Sequence, residues 1–164
     1  CTVATNATEK KQIANLIAAI VDYAKKITLG EKPGQMGAII SQASLQNLEK
    51  AIVRAEKDGA KILLDGRLQT KVPTNYKNGN WLAPTIIDNV KPGTHAATEE
   101  LFGPVLSIIH CKSLKEALKI QNSSPYGNAV SVFTQNGSYA DEIAKYGKAG
   151  MVGINIGVPV PREP

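Results

Sequence analysis

Aromatic residues are scarce in this chain: one Trp, five Tyr and two Phe among 164 residues. Arginine is scarcer still for a basic protein, with only Arg54, Arg67 and Arg162 beside 16 lysines. Nucleic-acid surfaces cluster Arg and Lys and interleave rings that stack on bases, and neither pattern occurs here. The lysines fall singly along helical stretches, as on solvated faces. A net charge of +5 is therefore easier to reconcile with an anionic small ligand than with a duplex, and no nucleic-acid partner is expected. Long apolar runs are missing too. None approaches the ~18 residues that span a bilayer, and Ile13 to Val21 is broken by Asn15, so no membrane partner is expected. Two cysteines, Cys1 and Cys111, make no disulfide framework, and a reducing cytoplasm is the simpler inference. His95 and His110 stand alone without ligand-like spacing, which argues against a zinc site or any other metal centre. No P-loop, G-x-G-x-x-G or H-E-x-x-H pattern is found.

What is present reads as one domain over residues 1–164, with 43% hydrophobic and 20% charged residues. Ile13, Leu16, Ile17, Ile20, Val21, Ala24 and Ile27 follow a 3.6-residue period and predict a helix over about 8–27. A second helix is expected over about 41–58, stopped by Gly59, followed by a short strand at 60–64. Residues 66–80 are polar, with Asn78-Gly79 as a hairpin-type signal. Trp81 to Val90 reads as extended and is broken by Pro84. Ser113-Leu114-Lys115-Glu116 is a capping box. Strands are expected at 128–134 and 151–155, with a helix between them opened by Ser138 and Asp141 and closed by Gly147. Strands alternating with helices imply an α/β fold: an open, mainly parallel twisted sheet with helices on both faces. Ligands in such sheets sit at the carboxyl ends of strands. The chain opens on Cys1 and stops at Arg162-Glu163-Pro164 with no element finished, so it is expected to be an internal piece of a longer protein.

The most informative stretch is Glu99-Glu100-Leu101-Phe102-Gly103-Pro104-Val105, which leads into Leu106-Ser107-Ile108-Ile109. An unpaired carboxylate is costly to bury, so at least one of the pair is expected to face a polar ligand or solvent. Pro104 is tolerable at the start of a strand and not within it. The arrangement presents an acid and a ring beside a sheet, which suits a ligand carrying hydroxyls and a flat heterocycle. A solvated acidic pair before a strand is the plainer alternative. Cys1 has two readings as well. A thiol placed before a helix N-terminus has a lowered pKa and becomes a nucleophile, or it is an accident of where the chain is cut. Cys111, ending an apolar strand, is expected to be a small buried side chain. His95 is expected in an exposed loop. Asn155 either faces the same cleft as Glu100 or serves a turn.

The acidic-Leu-Phe-Gly-Pro-Val stretch resembles the signature of the aldehyde dehydrogenase superfamily. Asp58 to Gly66, Trp81-Leu82-Ala83-Pro84-Thr85-Ile86-Ile87 and Pro125-Tyr126-Gly127-Asn128 through Phe133-Thr134 resemble further stretches of it in the same order. Gly150 to Pro164, with Asn122 to Asn128, is similar to the CoA-acylating methylmalonate-semialdehyde dehydrogenases within it. The resemblance implies an NAD-dependent oxidoreductase acting on a semialdehyde, with residues 1–164 as a fragment of the catalytic domain. The Rossmann-type cofactor domain and the C-terminal arm that pairs subunits would lie outside it, and the isolated fragment is expected to be inactive. By the same resemblance, Cys1 is the catalytic nucleophile, forming a thiohemiacetal and then a thioester that the thiol of CoA resolves. Glu100 holds the hydroxyls of the nicotinamide ribose, and Phe102 lies against the nicotinamide. A homo-oligomer is implied for the full-length protein. A non-catalytic binding or assembly module built on the same fold is the alternative, favoured by the polar stretch from Thr2 to Gln12, where the family has an apolar strand.

Overall fold

The computed structural model describes residues 2–4, 10–68, 72 and 74–158. Thr2–Ala4 (β1) pairs with Ile109–Cys111 (β5). The backbone divides into two compact units, Val3–His110 and Cys111–Pro164.

In the first unit the periodic apolar stripe forms α1 (Lys10–Ala24). Ile17 and Ala24 bury against Ile86 and Ile108, with Ile13, Ile20, Val21, Leu63, Leu64 and Leu106 packed around them. The helix ends before Ile27 because Lys26 and Ile27 donate to carbonyls three residues back, tightening the last turn. Helix α2 (Gln42–Lys57) opens on Ser41, whose hydroxyl accepts the Ser44 N–H at 3.1 Å. It closes in a Schellman motif: Gly59 at φ +90 donates to Glu56 and Ala60 donates to Ala55. Leu45, Leu48, Ala51, Ile52 and Ala55 form its buried face.

Strand β2 (Lys61–Leu64) runs antiparallel to β3 (Thr85–Asp88), with Lys61 opposite Asp88 and Ile62 opposite Ile87. Strand β4 (Val105–Ser107) runs parallel to β3, with Thr85 opposite Val105. Ile108, fully buried, extends this pairing by donating to Ile87 and accepting from Val90. The long link from β2 to β3 contains Asn78-Gly79 in a turn closed by Gly79 N–H to the Tyr76 carbonyl, so this pair does not join two strands directly as a hairpin would. Regular strand begins only after Pro84, which has no N–H to give a ladder. His95 lies half-buried at the start of the short helix α3 (His95–Thr98) and not in an exposed loop.

In the second unit, α4 (Leu114–Ser123) is capped by Ser113, whose hydroxyl accepts the Glu116 N–H. The Glu116 carboxylate reaches back one residue further than the capping-box pattern predicts, to the Lys112 N–H at 2.7 Å. Strand β6 (Ala129–Val132), α5 (Gly137–Tyr146) and β7 (Met151–Ile154) form a parallel β-α-β unit with Val132 opposite Ile154. Helix α5 is capped by Asn136, not Ser138. The Asn136 side-chain oxygen accepts from both Ser138 and Tyr139, which leaves Ser138 inside the first turn. The chain is α/β with open sheets, and two of the three registered strand pairs are parallel.

Candidate functional site

The corner before β4 is built from two successive three-residue turns. Gly103 N–H donates to the Leu101 carbonyl at 2.7 Å, and Val105 N–H donates to Gly103 at 2.8 Å. Phe102 and Pro104 are the central residues, and the fixed φ of proline suits the second turn. Thr85 N–H donates to the Pro104 carbonyl at 2.8 Å and ties the corner to β3. Gly103 meets Leu48 so closely that a Cβ would lie 2.4 Å from Leu48 Cδ1. A rigid backbone thus carries Phe102 with 82% of its surface exposed, and Glu99 and Glu100 are exposed beside it. Among the described residues no hydrogen bond or ion pair engages the Glu100 carboxylate. Both carboxylates face solvent, as the cost of burying either one predicts.

The corner stands at the amino end of β4, so the carboxyl-end rule for open parallel sheets does not locate it. A neighbouring groove of about 590 Å³ is lined by Ile20, Tyr23 and Ile27 of α1 with Pro84, Pro104 and Leu106. Glu100 and Phe102 are not among its lining residues.

Cys1 lies outside the described residues. Among the described residues, the first element after it is strand β1 and the first helix starts at Lys10. Cys111 is buried, and burial, aided by the Glu116 carboxylate, pushes its thiol pKa up. Asn155 lies in the second unit at φ +55, where its carboxamide accepts from Thr134 N–H at 2.9 Å and donates to the Thr134 carbonyl at 3.0 Å. This is the turn role. Sequence spacing alone misses two clusters. His110 Nε2 lies 2.7 Å from Asp88 Oδ1 although the residues are 22 apart in the chain. Arg67 grips both oxygens of Asp65 and reaches Glu56 on α2 at 3.1 Å. The guanidinium holds the Asp65 carboxyl below its usual range, and the two carboxylates hold Arg67 firmly charged. Among the described residues no cluster of three or more His, Cys, Asp or Glu could hold a metal ion, and no helix is long and apolar enough to cross a membrane.

The sequence pattern of the aldehyde dehydrogenase family matches residues 1–164. The chain belongs to the aldehyde dehydrogenase family. Among curated members, an acylating mitochondrial methylmalonate-semialdehyde/malonate-semialdehyde dehydrogenase of Mus musculus is 43% identical over 140 residues, 84% of this chain and 26% of that protein. Among solved aldehyde dehydrogenases, the methylmalonate-semialdehyde dehydrogenase of Oceanimonas doudoroffii superposes with a TM-score of 0.87 at 31% identity, covering 98% of this chain and 32% of its own. The betaine aldehyde dehydrogenase of Staphylococcus aureus, solved with NAD+, superposes with a TM-score of 0.83 at 29% identity, over 97% of this chain and 31% of its own. The chain spans about a quarter of the length of the curated relatives it matches.

Proposed function

We propose that this chain is the catalytic-domain portion of an NAD-dependent, CoA-acylating semialdehyde dehydrogenase, in which Glu100 and Phe102 grip the nicotinamide end of the cofactor. The observation that carries the reading is the corner before β4. A carboxylate without a described partner and an exposed ring stand two residues apart on backbone held in place by Gly103 against Leu48 and by the Pro104 carbonyl bonded to Thr85. A carboxylate accepts hydrogen bonds from both hydroxyls of a ribose, and an exposed ring offers a face to a flat heterocycle, so the donor and acceptor chemistry fits a nicotinamide riboside. NAD, when bound, supplies the hydride acceptor and CoA the thiol that takes the acyl group. Glu100 acts by position, holding the ribose so that the ring meets the reacting carbon, and not as an acid or base.

In this reading Cys1 is the nucleophile. Its thiolate adds to the aldehyde carbon to give a thiohemiacetal, whose oxidation leaves a thioester. The likeness to acylating methylmalonate-semialdehyde dehydrogenases supports a semialdehyde substrate and CoA as acyl acceptor, and nothing in it favours a non-catalytic assembly module. We infer a homo-oligomer for the full-length protein, testable by sedimentation. The cysteine content favours a reducing compartment such as the cytoplasm. The mouse relative is named as mitochondrial, and fractionation of the source cells decides between the two.

The test is Glu100→Gln in the full-length protein. Losing a charged acceptor for sugar hydroxyls costs roughly 1.5–3 kcal/mol, so kcat/KM for NAD falls by about ten- to a hundredfold. The thermal midpoint stays put, because the side chain is exposed. Unchanged steady-state constants with NAD remove Glu100 from the site. Free acid in place of an acyl-CoA product removes the acylating part of the reading.

A further inference from the structure

The sequence contains two Asn-Gly pairs, Asn78-Gly79 and Asn136-Gly137. Glycine after asparagine leaves its backbone nitrogen open to react with the asparagine side chain, since no Cβ stands in the way. The two pairs have identical local chemistry and opposite surroundings. Gly79 N–H is engaged, donating to the Tyr76 carbonyl at 2.9 Å. The space beside Gly79 is also filled: a Cβ there would lie 2.5 Å from Trp81 Nε1 and 3.1 Å from the Tyr76 carbonyl oxygen. Gly137 is the first residue of α5, where a backbone N–H has no partner inside the helix, and none of the described residues accepts it. Nothing lies within 4 Å of a Cβ built on Gly137. The Asn136 carboxamide is held in place at the head of α5. Its oxygen accepts from Ser138 at 3.0 Å and Tyr139 at 3.3 Å, and two donors on that oxygen stabilise the negative charge it gains when Cγ is attacked.

We propose that Asn136-Gly137 is a site of spontaneous deamidation in the native chain and that Asn78-Gly79 is protected. The Gly137 nitrogen loses its proton to solvent base and forms a bond to Asn136 Cγ. The bond from Cγ to the side-chain nitrogen breaks, and ammonia leaves. Water then opens the cyclic imide at either carbonyl, giving aspartate or isoaspartate at position 136, with no change in oxidation state. The aspartate product keeps an acceptor at the head of α5 and adds a charge that the helix N-terminus favours. The isoaspartate product inserts a methylene into the backbone at that point. It thereby disturbs the Asn136 N–H bond to Thr134 Oγ1, and Thr134 is the residue clamped by Asn155.

The 164-residue chain is incubated at elevated temperature and mildly alkaline pH. Tryptic peptides are followed by mass spectrometry, and isoaspartate is labelled with protein isoaspartyl methyltransferase and radioactive methyl donor. The hydrogen bond that holds the Gly79 nitrogen is by itself worth about 1 kcal/mol, so Asn136 is expected to convert roughly ten times faster than Asn78. In denaturant the two rates are expected to converge, because the dipeptides are the same. Equal native rates, or faster loss of Asn78, overturn the proposal. So does a native difference that survives in denaturant, since it would come from local sequence and not from the fold.

Discussion

Gly66 shows how one residue can decide a local structure. Its N–H donates to the buried Thr85 hydroxyl at 3.0 Å, and a Cβ on it would lie 1.8 Å from the Ala83 carbonyl oxygen. That obstacle is backbone, so it cannot swing aside. Gly66→Ala is expected to destabilise the chain by about 1–3 kcal/mol, the range for overpacking a filled interior, read from urea unfolding midpoints. An unchanged midpoint would mean that the β2–β3 link is not seated on β3 as described. Phe102 is the opposite case. With 82% of its surface exposed, Phe102→Ala is expected to leave stability within about 0.5 kcal/mol of the parent, so any effect on cofactor use in the full-length protein belongs to binding.

At the scale of elements, helix ends carry the specific information. Asn136 caps α5 through two backbone N–H groups, while Ser138 makes no cap. Asn136→Ala is therefore expected to cost about 1 kcal/mol, with Ser138→Ala close to neutral, measured by the same unfolding curves. The reverse order would reinstate Ser138. Charge joins the segment after β2 to α2: Arg67 is shared by Asp65 and Glu56, and only Asp65 and Arg67 are well shielded. The folded Asp65 carboxyl lies below its usual 3.8, so the pair stabilises the fold above that value and the contribution is lost as pH falls below it. Asp65→Asn is expected to be less stable than the parent near neutrality, with the gap narrowing as the pH is taken down through the acid range. A gap independent of pH would show that the ion pair contributes nothing.

For the molecule as a whole, the two thiols should separate cleanly. Cys111 is 1% exposed and its thiol pKa is raised by burial, so both access and thiolate fraction oppose its alkylation. In the native chain iodoacetamide is expected to modify Cys1 first, with Cys111 reacting only on unfolding, as peptide mass spectrometry would record. Fast native labelling of Cys111 would contradict its burial. Slow labelling of Cys1 in the full-length protein near neutral pH would count against its role as nucleophile.

Periodicity and turn chemistry are local, and they made α1, α2 with its Gly59 stop, the Ser113 cap and the β6-α5-β7 unit legible from residues alone. The resemblance in Glu-Leu-Phe-Gly-Pro-Val led to the family for the same reason: those residues are contiguous. Long-range facts were not legible. The antiparallel placement of β2 on β3, the Asp88–His110 pair and the reach of Arg67 to Glu56 depend on how distant segments meet, and nothing in their spacing announces it. Sequence by itself determined which segments become helix or strand and which family they belong to, because hydrophobic period and contiguous motifs act within a few residues. Only the tertiary structure decided which side chains are exposed at the corner before β4 and which glycines admit no Cβ, because exposure and close approach are properties of chains packed against one another.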